Sequence, residues 1–117
     1  MKKICMVCFV IAILALAGCE DQMNPRDVTV NEAKGLTDGT LVRLTGNIES
    51  TAVAEIYRFS DNAGNTITAE IDSEVWARSG INLTILAFPV KAEIEGEVDK
   101  ERGSEAYIDV TRVKILS

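Results

Sequence analysis

The stretch Thr40–Glu49 reads TLVRLTGNIE, and its alternation decides the fold. Val42, Leu44 and Ile48 fall on one side, with Gly46 in the same register. Arg43, Thr45, Asn47 and Glu49 fall on the other. Side chains of an extended chain point alternately to two faces, so period two with one apolar side marks a half-buried strand. A glycine inside the apolar row suits a bend or a bulge.

The same period recurs downstream. Glu55–Ser60 (EIYRFS) sets Tyr57 and Phe59 on one face, and Asp61–Asn65 (DNAGN) follows as a hairpin loop. Thr66–Asp72 then turns Ile67, Ala69 and Ile71 inward and Thr66, Thr68, Glu70 and Asp72 outward. Val90–Val98 puts Val90, Ala92, Ile94, Gly96 and Val98 on one side, against Lys91, Glu93, Glu95 and Glu97. After the polar turn Asp99–Ser104, Ala106, Ile108 and Val110 face in, but Val113 and Ile115 have the opposite parity. A bulge near Thr111 or Arg112 reconciles the two halves.

Between the third and fourth of these strands, Ser73 opens a short helix with Trp76 as its apolar anchor and Gly80 near its end. Ile81–Pro89 is apolar without a period. Ahead of the first strand, Asp27–Val30 is a short strand-like run, and Asn31 is suited to cap a helical turn, Glu32-Ala33-Lys34, that Gly35 ends. The order is three strands, a short helix and two strands. The expected fold is therefore all-β: a five-stranded OB-fold barrel with a short helix between strands 3 and 4. A small open β-sandwich is the competing arrangement.

Composition excludes more than it assigns. A chain of 117 residues holds one domain. There is no histidine, which removes Ser-His and Cys-His nucleophiles, imidazole metal ligands and a histidine pH switch. The formal charge is −6, and acids outnumber bases along the second and third strands, against nucleic acid as a partner. No spacing signals a buried carboxylate pair or a calcium loop, so neither a catalytic centre, a metal site nor any cofactor is expected.

Residues 1–18 read as a lipoprotein signal peptide. Lys2 and Lys3 precede the uncharged apolar run Ile4–Ala17, too short for a spanning helix, which ends in Leu16-Ala17-Gly18-Cys19. That tetrad resembles the bacterial lipobox, whose cysteine carries the lipid; an uncleaved anchor helix, a buried helix with a chance cysteine and ordinary secretion are the other readings. Residues 19–27 follow as a tether, and 28–117 form the domain. Losing Cys5 and Cys8 with the signal, and using Cys19 for the lipid, leaves no thiol on the exported part. Losing Lys2 and Lys3 turns −6 into −8. The expected location is the periplasm-facing side of a bacterial envelope, at a membrane held through the N-terminal lipid.

Several segments resemble a known family. They are Val30-Asn31-Glu32-Ala33, Val42-Arg43-Leu44-Thr45-Gly46-Asn47-Ile48, Tyr57-Arg58-Phe59-Ser60-Asp61 with Gly64, Ile71-Asp72 with Val75-Trp76, Gly96-Glu97-Val98-Asp99-Lys100 and Ile108-Asp109-Val110. In this order they resemble the bacterial OB-fold (BOF) family of YgiW/YdeI-type periplasmic stress-tolerance proteins. The resemblance implies a compact OB barrel, non-enzymatic binding of a small ligand or partner, and a link to envelope or oxidative stress. Two features depart from it: the lipobox, and an apolar Ile81–Pro89 where a polar loop is expected.

Candidate sites follow from the strand faces. The outward residues Thr66, Thr68 and Glu70, with Arg43 and Arg58 on neighbouring strands, form the usual OB binding face. Hydroxyl, acid and guanidinium groups together suit a small polar ligand, neutral or zwitterionic, such as a glycan fragment or a short peptide. Glu93, Glu95 and Glu97 form an acidic row, about 7 Å between successive members. That row suits a basic envelope protein docking as a structural or assembly partner, or simply a solvated strand face. Tyr57, Phe59 and Trp76 read as core rather than stacking platforms.

Overall fold

The computed structural model describes residues 24–100 and 105–116. The signal segment, Cys19 and most of the tether lie outside these residues. The elements are β1 (Arg26–Asp27), α1 (Val30–Lys34), β2 (Leu41–Ser50), β3 (Ile56–Ser60), β4 (Thr66–Glu70), α2 (Ser73–Arg78), a single 3-10 turn (Leu83–Ile85), β5 (Val90–Asp99) and β6 (Tyr107–Ile115). Sheet order is β1-β2-β3-β4-β6-β5, and β2 also pairs with β5, which closes the barrel. The five long strands and the helix between β4 and β5 make the OB fold expected from the alternation. The pairing β4–β6 is parallel, as is the short β1–β2 pairing, which extends the sheet into Arg26 and Asp27 ahead of residue 28.

The inward rows are buried as their parity requires. Val42, Leu44 and Ile48 on β2, Ile67 and Ala69 on β4 and Val90, Ala92, Ile94 and Val98 on β5 all join one core. On β6 the register jumps from Gly96↔Val110 to Glu95↔Arg112, leaving Thr111 as the extra residue. This is the bulge that the parity change demands, and it returns Val113 to the core. The bulge is also tied to α2: the Arg78 guanidinium donates to the Thr111 carbonyl at 3.1 Å, and the Ser79 hydroxyl accepts the Val113 N–H at 3.1 Å.

One helix start differs from the sequence expectation. Thr29, not Asn31, caps α1. Its hydroxyl accepts the Glu32 N–H at 3.1 Å while the Glu32 carboxylate accepts the Thr29 N–H at 2.8 Å. This reciprocal box needs Ser or Thr three residues before Glu, and Thr29 alone has that spacing. Asn31 lies one position inside the helix and is exposed. α2 opens at Ser73 as expected, and Asp72 caps it, its carboxylate accepting the Val75 N–H at 3.0 Å. The unassigned Ile81–Pro89 segment is a loop around one 3-10 turn, capped by Asn82 on the Thr84 N–H.

Trp76 is buried and plugs one end of the barrel. Its ring meets Tyr57 edge-on at 5.6 Å and Phe88 at 6.2 Å. The apolar Ile81–Pro89 segment thus supplies a third ring to this plug, where a polar loop could not. Phe59 is fully buried and Tyr57 is half-buried against the core, as their shared face requires.

Gly46 and Gly96 mark the tightest strand approaches. A Cβ on Gly46 would run into the Ser60 carbonyl, and one on Gly96 into the Asp109 carbonyl and Val110 Cα. Both obstacles are backbone, so relief requires strands to separate. Gly46→Ala and Gly96→Ala should each lower stability by about 3 kcal/mol. Gly35→Ala, with only the Glu32 carbonyl near at 3.7 Å, should stay within about 0.5 kcal/mol of the parent. Urea denaturation midpoints of the three variants check this.

Candidate functional site

The site begins at Asp61, in the first position of the β3–β4 hairpin loop. Its carboxylate accepts three backbone N–H groups: Val30 at 3.0 Å, Ala63 at 3.0 Å and Asn65 at 3.1 Å. The last two shape the loop. The first reaches across to the opening residue of α1, whose own Val30 and Ala33 are fully buried. The capping box, the Asp61 bond and these two side chains together dock α1 against the barrel beside β4. Its last residue, Lys34, then projects to the outer face of the β3–β4 pair.

There it lines a cleft of about 350 Å³ with Arg58, Thr66, Ile67, Thr68, Glu105 and Ala106. Arg58 and Thr68 are direct cross-strand partners, and Thr66 faces Ser60 two residues along. Arg58 also has an exposed carboxylate near it, Glu49 Oε1 at 3.6 Å. Among the residues read as a ligand face, the structure therefore brings Arg58, Thr66 and Thr68 together. Glu70 stands further along β4, opposite Ile56 and Asp109, and does not line the cleft.

Arg43 is elsewhere, and for a definite reason. It sits on β2 opposite Glu95 of β5, six residues and roughly 20 Å of strand away from the β2 position that faces Arg58. Its Nε lies 3.0 Å from Glu93 and 3.1 Å from Glu95, and its Nη1 lies 3.1 Å from Asp27 of β1. The hydrogen bonds to Asp27 and then Glu95 hold the guanidinium pKa above its ordinary value, so Arg43 is a fixed cation between three acids. A second cleft, of about 420 Å³, is lined by Arg43, Glu93, Glu95, Arg112 and Lys114.

The acidic row is thereby divided. Arg43 lies against Glu93 and Glu95 on one side, and Lys114 and Arg112 face the same two residues from β6. Glu97 stands apart, between Leu41 and Asp109. Alternation gave the acids a common face but did not show that basic strands flank two of them. Among the described residues, no group of three or more Cys, Asp or Glu is placed to hold a metal ion.

Lys34 and Glu105 are the charged cleft residues that sequence reasoning missed, and Lys34 is the cation of the two. Twenty-four residues separate it from Arg58, and no periodicity links them. The available signal was the Thr29–Glu32 box, which fixes where α1 starts and so which residue ends it.

Fold and site can now be set against known proteins. Residues 13–115 match the family described as bacterial OB fold (BOF) protein. The chain belongs to that family. It is 40% identical over 86 residues to the protein YgiW of Escherichia coli, covering 74% of this chain and 61% of the relative's length. It is 30% identical over 93 residues to an uncharacterized protein of Haemophilus influenzae, covering 80% of this chain and 72% of the relative. The solved structure of Escherichia coli ygiW superposes with a TM-score of 0.64 at 35% identity, over 78% of this chain and 90% of that one. The BOF barrel and the relation to YgiW thus bear out the resemblance carried by the segments quoted above.

Asp61 gives this site a pH dependence. The Val30 N–H first, then those of Asn65 and Ala63, hold its carboxyl below the usual carboxylate range. A depressed folded-state pKa stabilises the fold fully above the unfolded value, about 3.9, and that contribution is lost as pH falls through the folded value. Asp61→Ala should cost about 1 kcal/mol at pH 7, with the gap from the parent narrowing below about pH 4. Thermal melts of both proteins between about pH 2 and pH 7 check the sign.

Proposed function

We propose that this BOF protein is a lipid-anchored envelope protein whose barrel binds a small polar ligand in the β3–β4 cleft without chemistry, in the service of stress tolerance. One observation carries the binding reading. Arg58, Thr66 and Thr68 converge with Lys34 in a cleft on the strand pair that OB folds commonly use for recognition. Hydroxyls and cations on a rigid strand pair orient a polar ligand, and they offer no activated nucleophile or general base. The lipid anchor is supported by the Leu16–Cys19 tetrad, and the link to stress follows the family resemblance. The anchor would keep the domain at a periplasm-facing membrane.

Docking of a basic envelope protein on the acidic row has less support. Arg43 already engages two of its three members, Glu93 and Glu95.

Two experiments test the proposal. Membrane fractionation should find the parent in membranes and Cys19→Ser either soluble or unprocessed. A Cys19→Ser protein that matures normally and stays membrane-bound would falsify the anchor. Crosslinking in intact envelopes should capture a ligand or partner that Arg58→Ala and Thr68→Val lose, while charge reversal at Glu93, Glu95 and Glu97 leaves capture intact. The opposite pattern would move recognition to the acidic row.

A further inference from the structure

The β3–β4 cleft has a chemistry more specific than polar. Two of its lining side chains are cations, Lys34 and Arg58, and one is an acid, Glu105. The Lys34 side chain makes no hydrogen bond or ion pair with the described residues. Among the described residues, the carboxylate ion-paired to Arg58 is that of Glu49 at 3.6 Å, with Arg58 60% and Glu49 43% exposed. Ion pairs this exposed contribute little, so Arg58 leaves Glu49 at little cost. Arg43 is the contrast: three acids within 3.1 Å already surround its guanidinium.

The placement of Lys34 is built rather than incidental. The Thr29–Glu32 box, the Asp61 carboxylate on the Val30 N–H, and the burial of Val30 and Ala33 all fix α1. Thr66 and Thr68 line the same cleft from one strand face, about 7 Å apart along the strand. A guanidinium offers a planar fork to an oxyanion, an ammonium offers three movable donors, and a hydroxyl adds a further donor.

We propose that this cleft holds an oxyanion, a carboxylate or a phosphate, between Lys34 and Arg58, with Thr66 and Thr68 donating to its remaining oxygens. The inference rests on the ligand-binding reading of the same cleft and narrows its ligand to one with an anionic group. The negative charge of the whole chain does not oppose it, because exposed charges more than about 8 Å away are largely screened at physiological salt. The described lining residues hold two bases to one acid, and Glu49, 3.6 Å from Arg58, is the further carboxylate that a bound anion displaces.

The test titrates the full chain, in nonionic detergent, with sodium phosphate and separately with sodium acetate at constant ionic strength. Amide NMR shifts of Thr66, Ile67 and Thr68 report binding. Saturable shifts with phosphate name a phosphate site, those with acetate name a carboxylate site, and either supports the proposal. Lys34→Gln and Arg58→Gln should each weaken binding by about five- to tenfold. Arg58→Lys, which keeps the charge but not the fork, should weaken it less. Glu49→Gln should tighten it, and Arg112→Gln, in the other cleft, should leave it unchanged. Lys34 and Arg58 are exposed, so these variants keep the fold. Titrations that do not saturate with either anion, or that saturate equally in Lys34→Gln and Arg58→Gln, overturn the proposal. The broader ligand-binding reading is judged separately, by envelope crosslinking of Arg58→Ala.

Discussion

Strand β2 has to serve two neighbours at once. It pairs with β5 through Leu41–Ile48 and with β3 through Asn47–Ser50, and this double pairing closes the barrel. The handover takes place beside Gly46, where the β3 backbone at Ser60 comes so close that no side chain fits. Open strand edges are thereby avoided on both sides of β2. The hairpin that begins at Asp61 is set directly by this approach, and Asp61 in turn fixes α1 and Lys34. The cleft is thus a downstream result of one glycine contact in the barrel wall.

The fold was legible because it is written in parity. Inward rows on β2, β4 and β5 obey period two without exception, and the parity change on β6 located the bulge to within one residue of Thr111. The start of α1 was less legible, since Asn31 is an acceptable cap that loses to Thr29. The winner is decided by which side chain reaches a free N–H three residues on. Ile81–Pro89 had no period to read because Ile81, Leu83, Leu86 and Phe88 pack against the core from a loop, not from a regular element, while Ile85 is exposed.

The site was legible in part for the same reason. Arg58, Thr66 and Thr68 belong to two adjacent strands joined by a five-residue loop, so local sequence fixes their register. Arg43 shares their outward parity, but parity does not say which neighbour a long strand has at each point along its length. Residue 43 lies in the part of β2 that faces β5, and residue 49 in the part that faces β3. Long-range pairing decided that, just as it decided that Glu93 and Glu95 would meet a guanidinium.

The short parallel pairing of β1 with β2 has a mechanical meaning. Arg26 and Asp27 lie alongside Val42 and Arg43, the Val28 N–H donates to the Arg43 carbonyl at 3.1 Å, and Asp27 is ion-paired to the same arginine. Tension entering through the chain ahead of Asn24 meets these contacts before it reaches α1. Because the strands run in the same direction, that force loads the contacts together, in shear, instead of peeling them one by one. Arg43 then acts as a strain relief: under the proposed lipid anchor, a pull on the chain would be spent on the barrel wall before it reached the helix that carries Lys34.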